Sequence, residues 1–152
     1  MLEHEDYEVL NILGEGQSGV AYRAQKRSNN QVVAIKQIKR RRYQDGVDGG
    51  ALREVKLLQE LHHPNILTLI DVLAGADSDI HLVMPLMDVE LKDIIDSDNH
   101  LSDGIIKTFT YQLLSALAYI HERWILHRDL KPGTVKPSNL MVGFCCANLG
   151  VL

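Results

Sequence analysis

Three glycines, Gly14, Gly16 and Gly19, stand in the spacing G-x-G-x-x-G between two β-like runs, so the chain leaves the glycines as a strand rather than a helix. Glycine lets a backbone turn and lie flat where a side chain would be strained, with its N–H groups free to face an anion. The same letters mark a dinucleotide site, but that site needs a helix to begin at the glycines. Residues 7–13 read as a strand that ends at Gly14. Residues 20–26 read as the next, with a turn at Ser28, Asn29 and Asn30. The β-branched run Val32, Val33, Ala34, Ile35 predicts a central strand over 31–38. Residues 66–73 and 80–86 predict two more around a turn at 75–79. Between them, residues 51–61 place Leu52, Val55, Leu58 and Leu61 on one helical face, and His63-Pro64-Asn65 ends that helix. The first part thus reads as five strands and one helix.

The second part is helical. Residues 89–95 predict a short helix. Ser102 and Asp103 can cap a long one, along which Ile105, Ile106, Phe109, Leu113, Leu114, Leu117 and Ile120 recur every three or four residues as far as Trp124. Lys107, Gln112, His121, Glu122 and Arg123 interrupt that segment, so it is too polar to span a bilayer. A net charge of −4 argues against general nucleic-acid binding. The acidic N-terminal residues do not resemble a targeting peptide. Cys145 and Cys146 are adjacent, which strains a disulfide, and no His or Cys near them completes a zinc spacing. The basic run 39–42 reads as a solvated loop, with nuclear localisation as the alternative.

Val33-Ala34-Ile35-Lys36 puts Lys36 on the third strand, downstream of the glycines. A lysine there can reach nucleotide phosphates if a carboxylate holds it, and Glu54, one turn into the following helix, can do so. His127-Arg128-Asp129 follows the long helix. Asp129 could accept or orient the proton of a hydroxyl, and Lys131 could steady a phosphate. Each residue alone would read as a surface charge. The ordered set of glycine run, strand Lys, helix Glu and His-Arg-Asp is what carries the chemistry.

With the runs Ala51-Leu52-Arg53-Glu54-Val55-Lys56-Leu57-Leu58 and His63-Pro64-Asn65-Ile66, that set resembles the eukaryotic protein kinases, specifically the cyclin-dependent kinases and, among them, the branch that activates its fellow members. The resemblance implies an α+β, kinase-like fold: a five-stranded antiparallel N-lobe with one helix over 7–87, then the first, mainly helical part of a C-lobe over 88–152. It implies transfer of the ATP γ-phosphate to Ser or Thr of proteins, with ATP and Mg2+ as cofactors, a cyclin-like activator on the Glu54 helix, and a nuclear or cytoplasmic setting without nucleic acid or membrane. Leu13, Gly14, Glu15, Gly16, Gln17, Ser18 and Gly19 would cover the nucleotide. Ala21 and Ala34 would roof the adenine opposite Met141. Met84 would be gatekeeper, residues 85–87, Met87 included, would form the hinge, and Lys36 with Glu54 would hold phosphates. Asp129 and Lys131 would be catalytic and Asn139 would hold metal. Many relatives carry Thr-Tyr where this chain has Gln17-Ser18, so that inhibitory phosphorylation is expected to be absent.

Three departures bear on activity. The pattern wants Asn five residues after Asp129, where this chain has Thr134; Asn139 comes later, and removing 133–137 restores H-R-D-L-K-P-S-N-L-M. No Asp-Phe-Gly occurs in the 152 residues, and the rest of a C-lobe is not among them. The expectation is a chain that is inactive or nearly so as written. Alternatives are a truncated, catalytically dead cyclin-binding isoform and a fragmentary gene model. The apolar face of the long helix is expected to be exposed, and Gly49 and Gly50 to leave the Glu54 helix poorly set without a partner.

Overall fold

A computed structural model of the chain describes residues 4–16, 19–38, 49–75, 79–87, 91–97, 100–136, 141–142 and 150–151. The chain divides into two compact units, one of Met1–Gln59 with Thr68–Leu86, the other of Glu60–Leu67 with Met87–Leu152.

The first unit is a sheet of β1 (Tyr7–Gly16), β2 (Gly19–Lys26), β3 (Val32–Ile38), β4 (Asp71–Ala74) and β5 (Ile80–Pro85), with α1 (Gly49–Glu60). The strand order is β1-β2-β3-β5-β4, and every pairing is antiparallel. Alternation along the strands sends Val33 and Ile35 to one face, where they join Tyr7, Ala24, Leu73 and Val83 in a buried cluster. The opposite face carries Ala34 and Lys36. β1 runs past Gly14 to Gly16, two residues beyond the expected stop, with bulges between Val9 and Asn11 and between Ile12 and Gly14. The expected strand over 66–73 is shorter: β4 starts at Asp71. Before it, Ile66 N–H closes a turn onto the His63 carbonyl at 3.0 Å, and Ile66 is buried. Ile66 makes an isolated bridge and residues 67–70 form no strand, so the continuous pairing with β5 begins at Asp71.

Helix α1 begins at Gly49, at the expected place. It buries Glu54 and Leu58, while Leu52, expected on the buried face, is 51 % exposed. The helix turns a charged residue inward, so a count of apolar positions misplaces its face.

The second unit contains α2 (Leu91–Asp96), α3 (Asp103–His121), β6 (Ile125–Leu126), a 3-10 turn (Pro132–Thr134), β7 (Val135–Lys136), β8 (Met141–Val142) and β9 (Gly150–Val151). Ser102 caps α3, its hydroxyl accepting from the Ile105 N–H. The helix stops at His121, three residues short of Trp124. Arg123 and Trp124 instead donate back to Ile120 and His121 in a turn, and Trp124 takes the left-handed backbone at φ 60°. Ala116 and Ile120 are buried and Phe109, Leu113 and Leu117 half-buried, whereas Ile105, Ile106, Tyr111 and Leu114 are exposed, so the apolar stripe expected to stand open is open only in part. Val135, 2 % exposed, shares with Leu91, Ile95, Phe109 and Leu113 a half-open apolar cavity of about 300 Å³. β7 is thereby anchored to the helical layer. β6 pairs with β9 and β7 with β8, both antiparallel.

Candidate active site

In the first unit, strand register brings the expected phosphate-holding residues together. Gly14 lies opposite Ala21, Ala21 opposite Lys36, and Lys36 opposite Leu82, so one row crosses four strands. Ala34, two residues from Lys36, faces Met84 on the same side of the sheet. Ala21 and Ala34 are half-buried, small side chains beside the lysine. Leu13 and Glu15 are exposed on β1. Gly16 pairs with Gly19 at the hairpin mouth, while Gln17 and Ser18 lie outside the described residues.

Gly19 has a local reason to be glycine. Its φ is +139°, and a Cβ there would sit 1.8 Å from the Gln37 carbonyl oxygen. A Cβ at Gly14 would meet nothing within 4 Å among the described residues, so the neighbouring backbone dictates one glycine and leaves the other free.

The Lys36 ammonium donates to Glu54 Oε1 at 2.9 Å. The Glu54 side chain is 1 % exposed and that of Lys36 16 %. Burying a carboxylate this deeply is costly unless it is paired, and Lys36 supplies the pairing. The second oxygen, Oε2, is buried without a hydrogen-bond partner among the described residues. Glu54 is therefore committed to aligning Lys36, and the lysine stands on the same face as Ala21 and Ala34.

In the second unit, His127 is 4 % exposed and its Nδ1 accepts from the Asp129 N–H at 3.2 Å. That bond requires Nδ1 to be unprotonated. Arg128, between them, takes the left-handed backbone at φ 59°, a conformation that costs a non-glycine residue about 1 kcal/mol or more. Asp129 Oδ2 lies 3.2 Å from Lys131 Nζ. Lys131 is 59 % exposed, so this pair adds little stability; it sets a cation beside the carboxylate.

Sequence reasoning missed what Thr134 does. Its hydroxyl lies 3.1 Å from the Asp129 carbonyl and 2.9 Å from that of Lys131, and it accepts from the Lys131 N–H at 3.1 Å. The signal was present, since Thr134 stands five residues after Asp129. Residues 133–136, part of the segment whose removal restores the motif, form the end of the 3-10 turn and β7. Asn139, the expected metal ligand, lies outside the described residues. Met87 is half-buried in the second unit, and no side-chain geometry of Met141 is described.

The row of glycine and alanine beside a carboxylate-held lysine suits a nucleotide triphosphate, whose phosphates need a fixed cation and a face free of bulky side chains. Among the described residues no group of three or more His, Cys, Asp or Glu could hold a metal ion. No described helix is long and apolar enough to cross a membrane.

The fold is that of part of a protein kinase domain. The protein kinase domain model matches residues 7–143, and the chain belongs to that family. Its relatives there are cyclin-dependent kinases. It is 45% identical over 135 residues to cyclin-dependent kinase 7 of Xenopus laevis, an alignment covering 86% of this chain and 38% of that protein. It is 41% identical over 134 residues to cell division control protein 2 homolog 3 of Trypanosoma brucei brucei, covering 88% of this chain and 43% of that protein. The expected likeness to the CDK-activating kinase, the catalytic subunit of the TFIIH kinase, agrees with the first of these. The kinase-like α+β fold with a five-stranded antiparallel sheet is likewise as expected. The chain spans about two fifths of the length of these relatives.

Proposed function

We propose that this chain carries the nucleotide-holding and catalytic-loop portion of a protein serine/threonine kinase of cyclin-dependent type. The glycine hairpin and Lys36 hold the phosphates of ATP, and Glu54 holds Lys36. Asp129 takes or orients the hydroxyl proton of a Ser or Thr on a protein substrate as that oxygen bonds to the γ-phosphorus. The bond from the γ-phosphorus to the bridging oxygen breaks, and ADP leaves. Lys131, beside Asp129, steadies the transferring phosphoryl group. Asn139 is the proposed metal-holding residue, and magnesium would shield phosphate charge when bound. A cyclin-like activator would engage α1, and the setting would be the nucleus or cytoplasm, in cell-cycle or transcription control.

The observation that carries this reading is the Lys36–Glu54 pair at 2.9 Å in the row that begins at Gly14. Titration with a fluorescent ATP analogue tests it. Saturable binding displaced by ATP and lost in Lys36→Met is expected; equal binding by Lys36→Met would sink the proposal.

A second reading is that these 152 residues bind a cyclin without transferring phosphate. Two observations favour it: Thr134 stands where the catalytic-loop pattern places Asn, and Leu52 is exposed on α1. Capture of a cyclin by a chain that phosphorylates no protein substrate would select it over the first.

A further inference from the structure

We infer that Thr134 is a positioning residue for Asp129, standing in for the asparagine that a kinase loop of this type places five residues after its aspartate. The inference rests on the proposed kinase reading and adds a residue to it.

The peptide units around Asp129 are held from two sides. On the amide side, the buried His127 ring accepts the Asp129 N–H at 3.2 Å. On the carbonyl side, the Thr134 hydroxyl reaches the Asp129 oxygen at 3.1 Å. A hydroxyl has one proton to give and two lone pairs to accept with. Thr134 shares its proton between the carbonyls of Asp129 and Lys131 and takes the Lys131 N–H on a lone pair. The Thr134 N–H also bonds the Lys131 carbonyl at 2.9 Å. Residues 129–134 therefore close into a braced loop.

Such a brace matters here for two reasons. Arg128, directly before Asp129, is in the left-handed region, and a strained residue persists only where its neighbours are over-determined. The brace is itself fixed, because Val135 follows Thr134 and is buried against the helical layer. The rigid element thus begins at Val135, passes through the Thr134 hydroxyl and ends on the backbone of Asp129, whose carboxylate stands beside Lys131. An asparagine at position 134 could donate to the same carbonyl through its amide. Threonine keeps that donor and, with its oxygen engaged by backbone, serves as a brace rather than a metal ligand.

The test uses the whole chain as wild type, Thr134→Val and Thr134→Ser, followed by NMR. Valine keeps the shape and removes the hydroxyl; serine keeps the hydroxyl. The side-chain carboxylate carbon resonance of Asp129 reports its surroundings, and amide exchange at Asp129 and Lys131 reports the brace. In Thr134→Val the carboxylate resonance is expected to move, and both amides to exchange about tenfold faster or more, the scale of one lost hydrogen bond. Thr134→Ser is expected to restore all three signals. Amide exchange within α3 checks that each variant is folded. An Asp129 resonance and amide untouched by Thr134→Val would overturn the inference, as would a serine variant that behaves like valine. ATP-analogue binding is measured on the same samples. Its absence in wild type overturns the kinase reading and with it the catalytic meaning of the brace, whereas the two loop signals answer separately for Thr134.

Discussion

Lys36 and Glu54 meet at 2.9 Å with the carboxylate almost fully buried and its second oxygen unpartnered among the described residues. The arrangement is asymmetric: the glutamate depends on the lysine more than the lysine depends on it. Lys36→Met leaves a buried charge with no partner and is expected to destabilise the chain by about 3 kcal/mol, as when one member of a buried pair is removed. Lys36→Met with Glu54→Leu should recover most of that loss, because an apolar pair of similar volume needs no compensation. Urea unfolding of both variants checks the stability difference. Neither should bind ATP.

Gly14 and Gly19 belong to one motif but answer to different constraints. Gly19→Ala places a methyl within 1.8 Å of backbone at a positive φ and should cost at least about 3 kcal/mol. Gly14→Ala meets nothing within 4 Å and should change stability by less than about 1 kcal/mol. Thermal unfolding of the two variants separates them; equal losses would contradict this account of the hairpin.

His81 is 4 % exposed on β5, and both its ring nitrogens are buried without a hydrogen-bond partner among the described residues. Burial pushes its pKa below the usual 6.5. The His4 ring pushes the same way, and the Asp79 carboxylate opposes both. As pH falls, the unfolded chain takes up this proton before the folded one does. The His81 contribution is therefore intact above about pH 6.5 and declines below it, by up to about 1.4 kcal/mol per pH unit, until the lower folded value is reached. Replacing the ring by an apolar side chain removes that sensitivity. His81→Leu should be no less stable than wild type at about pH 5.5, and its urea midpoint should fall less between about pH 7.5 and 5.5.

Tyr111 and Leu114 lie three residues apart on α3, 75 % and 58 % exposed. Exposed apolar groups at that spacing form one surface patch and favour self-association. Tyr111→Lys with Leu114→Glu should raise the concentration at which light scattering sets in, while the unfolding free energy stays within about 0.5 kcal/mol of wild type. A scattering threshold unchanged by both charges would place the sticky surface elsewhere.

Much of this could be read directly from residue order. β-branched alternation located β3, and the strand after the glycines separated this hairpin from a dinucleotide fold. Ser102 announced α3. Three things stayed hidden for physical reasons. The buried face of α1 is set partly by Glu54, which hydrophobic periodicity discards. Residues 66–70 read like a strand because Ile66 is buried, yet Ile66 makes a single bridge and the ladder with β5 begins at Asp71. The Thr134 brace is made by a side chain gripping carbonyls, and no residue pattern specifies a backbone partner. The pairing of Lys36 with Glu54 was legible because both ends of it are side chains with fixed roles.

The contact between Gly19 and the Gln37 carbonyl has a consequence for reading any chain of this kind. The last glycine of the phosphate motif is required by the neighbouring strand whether or not a nucleotide ever arrives. A descendant without any nucleotide would still be held to it by the architecture, so this glycine testifies to the hairpin and not to a ligand.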